Sequence, residues 1–421
     1  MRTHPANRKQ LAGFFVGEEM AGPLDNVRIL DMSRILAGPW AAQLLGDFGA
    51  DVLKVEKPGS GDDTRSWGPP WLEGEEAESA YFLSANRNKC SVSVNIAAPA
   101  GQKIIRALAQ QSDVLLENYK VGTLAGYGLG PEEMLKLNPR LIYCSISTFG
   151  QDGSRAREPG YDAMIQASAG LMSITGPPPS EPGGPQKVGV AISDIMAGMY
   201  ATTAILAALN ARAISGRGQH IDIPLYDSQV AWLANQNMNF LIGGKSPGRM
   251  GTAHPNLVPY QAFQTSDSHL MLAVGNDRQF SACCKVLGLP ALADDPRFKT
   301  MPKRIENRDA LIPNLDSKFR ERTTDDWLER LLSEGVPAGP INDIDEVLTN
   351  DYAREKDLVR QIQNGNDVSV PLVSNPVRFS DTPVCYEKAP PLLGEHTVEV
   401  LRGRLGYSDA EIASLRKNEV I

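Results

Sequence analysis

Apolar and polar positions alternate along the first half of the chain in blocks of two kinds. Val27 to Asp31 (VRILD), Asp51 to Glu56 (DVLKVE), Asp113 to Glu117 and Leu141 to Ile146 (LIYCSI) are short, nearly continuous apolar runs, the pattern of strands buried on both faces. Between them, helical periodicity runs through Gln43, Leu44, Leu45 and Phe48, through Ile104 to Leu108 and through Glu132 to Leu137. Strands joined by helices predict a parallel sheet with helices on both sides, a Rossmann-like α/β domain. An apolar helix is expected from Asp194 to Ala213, with Asp194 as its cap, followed by a turn at Ser215 to Gly218 and a strand at Gln219 to Ile223.

The texture changes after Leu233. A Gly-rich loop (Ile242 to Gly251) precedes two runs, Tyr260 to Thr265 and His269 to Val274, that flank Ser266-Asp267-Ser268 and predict a hairpin. Helices are expected at Arg278 to Leu287 and at Thr324 to Ser333, the latter capped by Thr323, and a short one at Asp409 to Lys417. The predicted organisation is a poorly ordered leader (1–22), a large domain (23–200, completed by 383–421), a linker (201–225), a smaller α+β domain (226–335) and a return linker (336–382).

Composition narrows the function classes. In 421 residues, 42 Lys+Arg face 50 Asp+Glu, a net charge of −8, and 42% of positions are hydrophobic, enough for a large core and against disorder. The 38 Gly and 30 Pro follow no repeat and read as turn punctuation. Without a basic tract a nucleic-acid partner is not expected, although a local cationic pocket for a small anion remains compatible with the acidic balance. The most apolar segment, Met196 to Leu209, is interrupted by Gly198, Tyr200, Thr202 and Thr203, so no membrane partner is expected. Arg2, Arg8 and Lys9, with no acid before Glu18, leave three readings of the N-terminus: a leader, a transit peptide, or a start at Met20. Five cysteines without C-x-x-C spacing read as reduced thiols, hence a cytoplasmic setting, and five histidines show no pair at ligand spacing, so no metal is expected.

Several familiar anchors of chemistry are absent. There is no G-x-G-x-x-G after the first strand and no phosphate-binding G-x-x-x-x-G-K-[ST], and the one G-x-S-x-G, Gly244 to Gly248, has no strand feeding it. What remains are polar strings at strand ends and loop entries. These are Arg34 to Pro39, Glu56 to Arg65, Asn86 to Lys89, Glu117-Asn118-Tyr119, and Gly160-Tyr161-Asp162 ahead of the helical run Ala163 to Met172. Taken singly, each has an ordinary explanation as a loop, a turn cap or a helix N-cap.

Taken in order they resemble the family III CoA-transferases of the CaiB/BaiF type, from about Leu24 to the C-terminus. The markers are LAGPWAAQLLGDFGADVLKVEKPGSGDDTR, NRNK (86–89), ENY (117–119), GYD (160–162), GVAISD (189–194), GRGQHID (216–222) and PLLGEHT (391–397). GDDTRSWGPPW, ITGP (174–177), GTAH (251–254) and VPYQAF (258–263) are most similar to members that act on succinyl-CoA and glutarate. The resemblance implies that CoA moves from an acyl-CoA, such as succinyl-CoA, to a free acid, a dicarboxylate such as glutarate, through an aspartyl-CoA thioester on Asp162. It requires no prosthetic group, the CoA thioester being substrate, and implies an interlocked, ring-like homodimer.

An aspartate at a helix start suits this role, since the dipole favours its negative charge and a carboxylate divides one difficult exchange into easier steps. The resemblance further implies oxyanion donors from the backbone at Leu36 and Ala37 and from the glycine loop at Gly243, Gly244, Gly248 and Gly251. Lys57 stands where relatives place an arginine at the adenine end of CoA, and Asn118 and Tyr119 match a pair along the pantetheine. Ala97 and Gly126 depart from a lysine and an arginine of such relatives, so Arg65, Lys89 and Lys120 are the candidate replacements for phosphate binding. Arg249 and His254 are candidates for the distal carboxylate of the acceptor. Two other classes compete with this reading. An α-methylacyl-CoA racemase of the same fold needs an acid/base pair, commonly with His before the Asp, where this chain has Tyr161; a non-catalytic acyl-CoA-binding protein has no need of Asp162.

Overall fold

The computed structural model describes residues 22–72 and 78–421, so the expected leader, apart from residue 22, lies outside the described residues. The chain forms two compact units. The first takes residues up to 146, 198–222 and 360–421; the second takes 147–197 and 223–359. These boundaries correct the expected ones. Residues 147–197 belong with the second unit, and 201–225 is no linker, because it holds most of a long helix and a sheet strand.

The first unit is built on a six-stranded sheet of β1 (Arg28–Asp31), β2 (Asp51–Glu56), β3 (Lys89–Ser93), β4 (Val114–Glu117), β5 (Ile142–Ser147) and β6 (His220–Pro224), ordered β3-β2-β1-β4-β5-β6. Pairing from β3 through β5 is parallel, with Leu30 opposite Leu53 and Leu115. The strand order reverses between β1 and β4, and in open α/β sheets ligands bind beyond the strand ends at such a switch point. One face is sealed by a core that includes Leu30, Leu53, Val92, Ile104, Ile105, Leu108, Leu115 and Tyr143.

Strand β3 was not anticipated, because its sequence, KCSVS, is half polar. Its polar residues are buried all the same. Asn86, Arg87, Asn88 and Lys89 are each less than a tenth exposed. Arg87 grips Asp47 through Nε at 2.8 Å and Nη2 at 2.5 Å, while Asn88 and Asn375 each donate to the same carboxylate at 2.8 Å. As an edge strand β3 offers free backbone groups, and the C-terminal segment covers them. The Ser91 N–H donates to His396 Nδ1 at 3.3 Å, the Ser93 N–H to Thr397 Oγ1 at 3.0 Å, and the His396 N–H returns a bond to the Ser91 carbonyl at 2.9 Å. Part of the expected return linker is instead a hairpin of β10 (Val359–Gln363) and β11 (Ser369–Val373).

The long helix spans Ile192–Ser215, starting two residues before the expected Asp194, which is therefore its third residue and not its cap. Its length and composition would also satisfy a membrane span. The buried stripe Ala197, Ala201, Ile205 and Ala208, spaced four, four and three residues apart, is the one-sided pattern of a helix packed on protein.

The second unit contains an antiparallel sheet of β7 (Tyr260–Gln264), β8 (His269–Ala273) and β9 (Ala338–Pro340). Its core gathers Phe263, Phe280, Phe298, Phe319, Trp327 and their neighbours. Thr323 caps helix Thr324–Ser333 as expected, accepting from the Asp326 N–H. Arg304 is fully buried in this core, with its guanidinium bonded to the carbonyls of Val258 and Phe298 and to Asp277.

Candidate active site

At the switch point of the first unit, the chain leaves β1 through Ser33, Arg34, Ile35 and Leu36 and enters helix Ala37–Asp47, which has no side-chain cap. Ile35 holds φ at 71°, a region that β-branched residues rarely adopt, so the turn stands against local strain. Two side chains hold it. Asn118 brackets Arg34, accepting from its N–H at 2.8 Å and donating to its carbonyl at 2.7 Å, and the Asp62 carboxylate accepts from the Ile35 N–H at 3.2 Å. Gly38 is required here: a Cβ on it would lie 2.2 Å from the Ser33 Cβ.

Beneath the turn lies a buried ionic network. Lys54, fully buried, donates to the Ser33 carbonyl at 3.0 Å and to Asp62 at 2.9 Å. Burial works to raise the Asp62 carboxyl, but the Lys54 ammonium and the hydrogen bonds from Thr64 outweigh it and hold the group at about 2. Lys89, also fully buried, donates to Asp31 at 3.0 Å, to the Pro39 carbonyl at 2.9 Å and to Asn86 at 3.0 Å. Burial pushes Lys89 down to about 8 against the pull of Asp31. Arg65 chelates Glu56 at 2.8 and 2.7 Å and also bonds Glu78 and the Pro391 carbonyl.

Two of the candidate phosphate cations are therefore corrected. The Lys89 ammonium has all three of its protons engaged by protein acceptors, and Arg65 faces carboxylates, so both brace the turn and neither lines the adjoining cleft. That cleft, of about 280 Å³, is lined by Arg34, Lys57, Gly61, Asp63, Ala97 and Tyr119 among others. Lys57 is exposed at its mouth, and Arg34 lies 5.2 Å over the Tyr119 ring and 3.2 Å from Asp63. Lys120 is exposed and outside the lining, Leu36 and Ala37 are buried at the turn, and the Asn118 side chain is committed to Arg34. The charged lining is balanced, Arg34, Lys54 and Lys57 against Glu56, Asp62 and Asp63, and within it the exposed Lys57 and the tyrosine face on the wall are the groups suited to a nucleotide-like anion.

Behind the cleft wall, Glu117 ends β4 and is 5% exposed. Burial pushes it up to about 7, against the Ser145 hydroxyl and the Tyr119 N–H, which donates to it at 2.8 Å. Ser145 Oγ in turn stands 3.0 Å from His220 Nε2, and burial lowers that imidazole.

In the second unit Asp162 opens helix Asp162–Ser168, with Tyr161 as N-cap. Gly160 is needed because a Cβ there would meet the Thr148 methyl at 2.3 Å. The expectation that Asp162 caps its own helix is corrected, since its carboxylate caps a different one. Oδ1 accepts from the Ser193 N–H at 2.7 Å and the Asp194 N–H at 3.4 Å, in the first turn of Ile192–Ser215, and Oδ2 accepts from Gln166 Nε2 at 2.7 Å. Gln166 is fully buried and is itself fixed by the Val188 N–H at 2.8 Å. The result is a half-buried carboxylate aimed by a helix terminus and one amide, the geometry of a pre-positioned nucleophile. Gln166, Ser193 and Asp194 were not singled out as site residues, although Gln166 stands four residues after Asp162 and the other two close the GVAISD string.

The second-unit candidates for the acceptor lie on adjoining loops. Arg249 Nε donates to the Pro177 carbonyl at 3.0 Å, and the Gly251 N–H donates to the Gly176 carbonyl at 3.0 Å, which docks the glycine loop on the ITGP string. Gly243, Gly244, Gly248 and Gly251 are exposed. His254 uses Nδ1 to accept from the Asn256 N–H at 3.0 Å, and its ring stands 5.2 Å from that of Tyr260. Among the described residues no cluster of His, Cys, Asp and Glu has the form of a metal site.

Comparison with known proteins identifies the family. The sequence profile of CoA-transferase family III matches residues 24–397. The chain is 45% identical over 399 residues to succinyl-CoA:glutarate CoA-transferase of Mus musculus, covering 95% of this chain and 90% of that protein. It is also 45% identical over 382 residues to succinate–glutarate CoA-transferase of Agrobacterium fabrum, covering 90% and 95%. A crystal structure of a CaiB/BaiF family protein from Brucella suis superposes with a TM-score of 0.80 at 43% identity, covering 91% of this chain and 99% of that one. With a parallel sheet ordered 3-2-1-4-5-6, a cleft bearing Arg34 and Lys57 at its switch point and a helix-held aspartate within G-x-D, the chain belongs to CoA-transferase family III and is an enzyme of the CoA-transferase type.

Proposed function

We propose that this enzyme moves CoA from succinyl-CoA to glutarate, with Asp162 as nucleophile. The substrate pair rests on the names of the two relatives at 45% identity, and the chemical route rests on one observation, the Asp162 carboxylate held by Ser193, Asp194 and Gln166. Asp162 attacks the thioester carbonyl, the C–S bond breaks, and the products are a succinyl-aspartyl anhydride and CoA thiolate. The sulfur then attacks the aspartyl carbonyl, releasing succinate and leaving an aspartyl-CoA thioester. Glutarate attacks that thioester, sulfur leaves again, and its return to the glutaryl carbonyl yields glutaryl-CoA and free Asp162. Each step exchanges one acyl bond for another, so the route asks for no prosthetic group. In this reading Lys57 and Arg34 meet the CoA phosphates at the cleft, and Arg249 and His254 meet the distal carboxylate of the acid.

The homodimer is part of the same reading. Helix Asn235–Gly243 buries none of its side chains and exposes Met238, Phe240, Leu241 and Ile242 by half or more, an apolar face that a second copy would cover. A cytoplasmic location is proposed on the five free cysteines. The decisive experiment is peptide mass spectrometry after incubation with succinyl-CoA alone. CoA should be found attached to Asp162, and D162N should lose both the adduct and glutaryl-CoA formation by at least about 10³-fold. Retained transfer by D162N would refute the route.

A further inference from the structure

Asp162 is not the sole carboxylate at the head of helix Ile192–Ser215. Asp194, the third residue of that helix, gives its backbone N–H to Asp162 Oδ1 at 3.4 Å. Its own side chain is half-buried, yet its carboxyl makes no hydrogen bond among the described residues. Among the described residues no cation pairs with it. Lys187 turns its ammonium to the carbonyls of Val188 and Gly189, the Ser193 hydroxyl donates to Gln229 at 2.8 Å, and Gln166 holds Asp162. The charged group that faces Asp194 is Asp162 itself.

Two carboxylates at one helix terminus, the first saturated with donors and the second with none, are placed for different tasks. This inference rests on the Asp162 route. We propose that Asp194, as the carboxylic acid, gives its proton to the CoA thiolate expelled when an anhydride forms on Asp162 and takes it back when the sulfur attacks that anhydride. The proton balance closes within each half-reaction. Asp194 COOH and CoA thiolate become Asp194 carboxylate and CoA thiol, and the reverse transfer restores the thiolate as it bonds to carbon.

The electrostatics favour this timing. Burial, and next to it the Asp162 charge, push Asp194 up to about 7, so the acid form is present at neutral pH. Conversion of Asp162 to an anhydride removes that neighbouring negative charge. Asp194 therefore becomes the stronger acid at the step in which a basic thiolate is released, and the weaker one once Asp162 is free again.

The test is the pH dependence of kcat for glutaryl-CoA formation from succinyl-CoA and glutarate between pH 5.5 and 9, using the full-length enzyme, D194N, D194E and D162N. The native rate is expected to fall above about pH 7 as Asp194 loses its proton. D194N should reduce kcat about 10²-fold and abolish that limb, whereas D194E should keep a limb at a displaced pH. Thermal melts establish that each variant is folded; if D194N does not fold, the D194E profile decides, and an unshifted limb overturns the proposal. A D194N enzyme that is merely slower, with the native limb intact, also overturns it. Full activity in D194N alongside an inactive D162N would refute the role of Asp194 and leave the Asp162 route standing; an active D162N would remove the route itself.

Discussion

Glu117 gives the enzyme a stability that declines as the pH rises from 4.5 to about 7. The carboxyl sits at the end of β4, 5% exposed, with the Tyr119 N–H and the Ser145 hydroxyl as its partners and, among the described residues, no cation paired to it. Burial moves it from an ordinary 4.5 up to about 7. The native state thus binds a proton that the unfolded state has already released, and between these two values stability falls with rising pH. Below 4.5 the penalty is absent, and above about 7 it is complete, at about 3 kcal/mol by proton linkage. Glutamine reproduces the neutral form, and its amide can donate to Ser145 while Ser145 donates to His220 Nε2, 3.0 Å away. E117Q should therefore lose about 3 kcal/mol of pH dependence relative to the native enzyme. Asp194 has the same sign and is present in both proteins, so the difference between them isolates Glu117. The assay is urea unfolding followed by tryptophan fluorescence at half-unit intervals from pH 5 to 9. Parallel curves for the two proteins would show that Glu117 is not held neutral by burial and would refute the reasoning.

Two further predictions follow from the charges of the first unit. K57A should raise the KM for succinyl-CoA about tenfold with little change in kcat, and its KM should depend less on ionic strength, as measured by initial rates at several salt concentrations. R87M should lower stability by about 3–5 kcal/mol in the same unfolding assay, because it leaves the buried Asp47 carboxylate with only the Asn88 and Asn375 amides; a loss below about 1 kcal/mol would show that those amides suffice.

The strands and helices that the sequence made plain are those whose burial follows from their own periodicity. Asp51–Glu56, Thr324–Ser333 and Asp409–Lys417 fall where expected; β1, β4, β5, β6, β7 and β8 differ from expectation by one residue at one or both ends, and β9, β10 and β11, like β3, were not anticipated. Strand β3 escaped because Lys89 and Ser91 look like solvent positions until Asp31 and Glu56 are placed beside them by folding. Helix Arg308–Phe319 escaped because Pro313 lies inside it. The same limit governs the site. Asp162, the candidate nucleophile, was picked out through its local G-x-D string, but the groups that hold its carboxylate, Ser193 and Asp194, come from a helix 31 and 32 residues further on. A lysine in a sequence does not disclose whether it faces a ligand or an internal carboxylate. Lys57 and Lys89 looked alike as candidates, and folding exposes the first while enclosing the second among three acceptors.

The capping of β3 by the C-terminal segment bears on how the protein is made. His396 follows Ser91 by 305 residues, so on a ribosome adding about 5–20 residues per second the edge of the nascent sheet stands open for about 15–60 s before its cover is synthesised. During that interval Ser91 and Ser93 present unpaired backbone groups to any extended strand nearby. Chains released short of residue 396 keep that edge open to edge-to-edge pairing or chaperone capture, so the stretch at His396 and Thr397 acts as a seal that arrives late in synthesis.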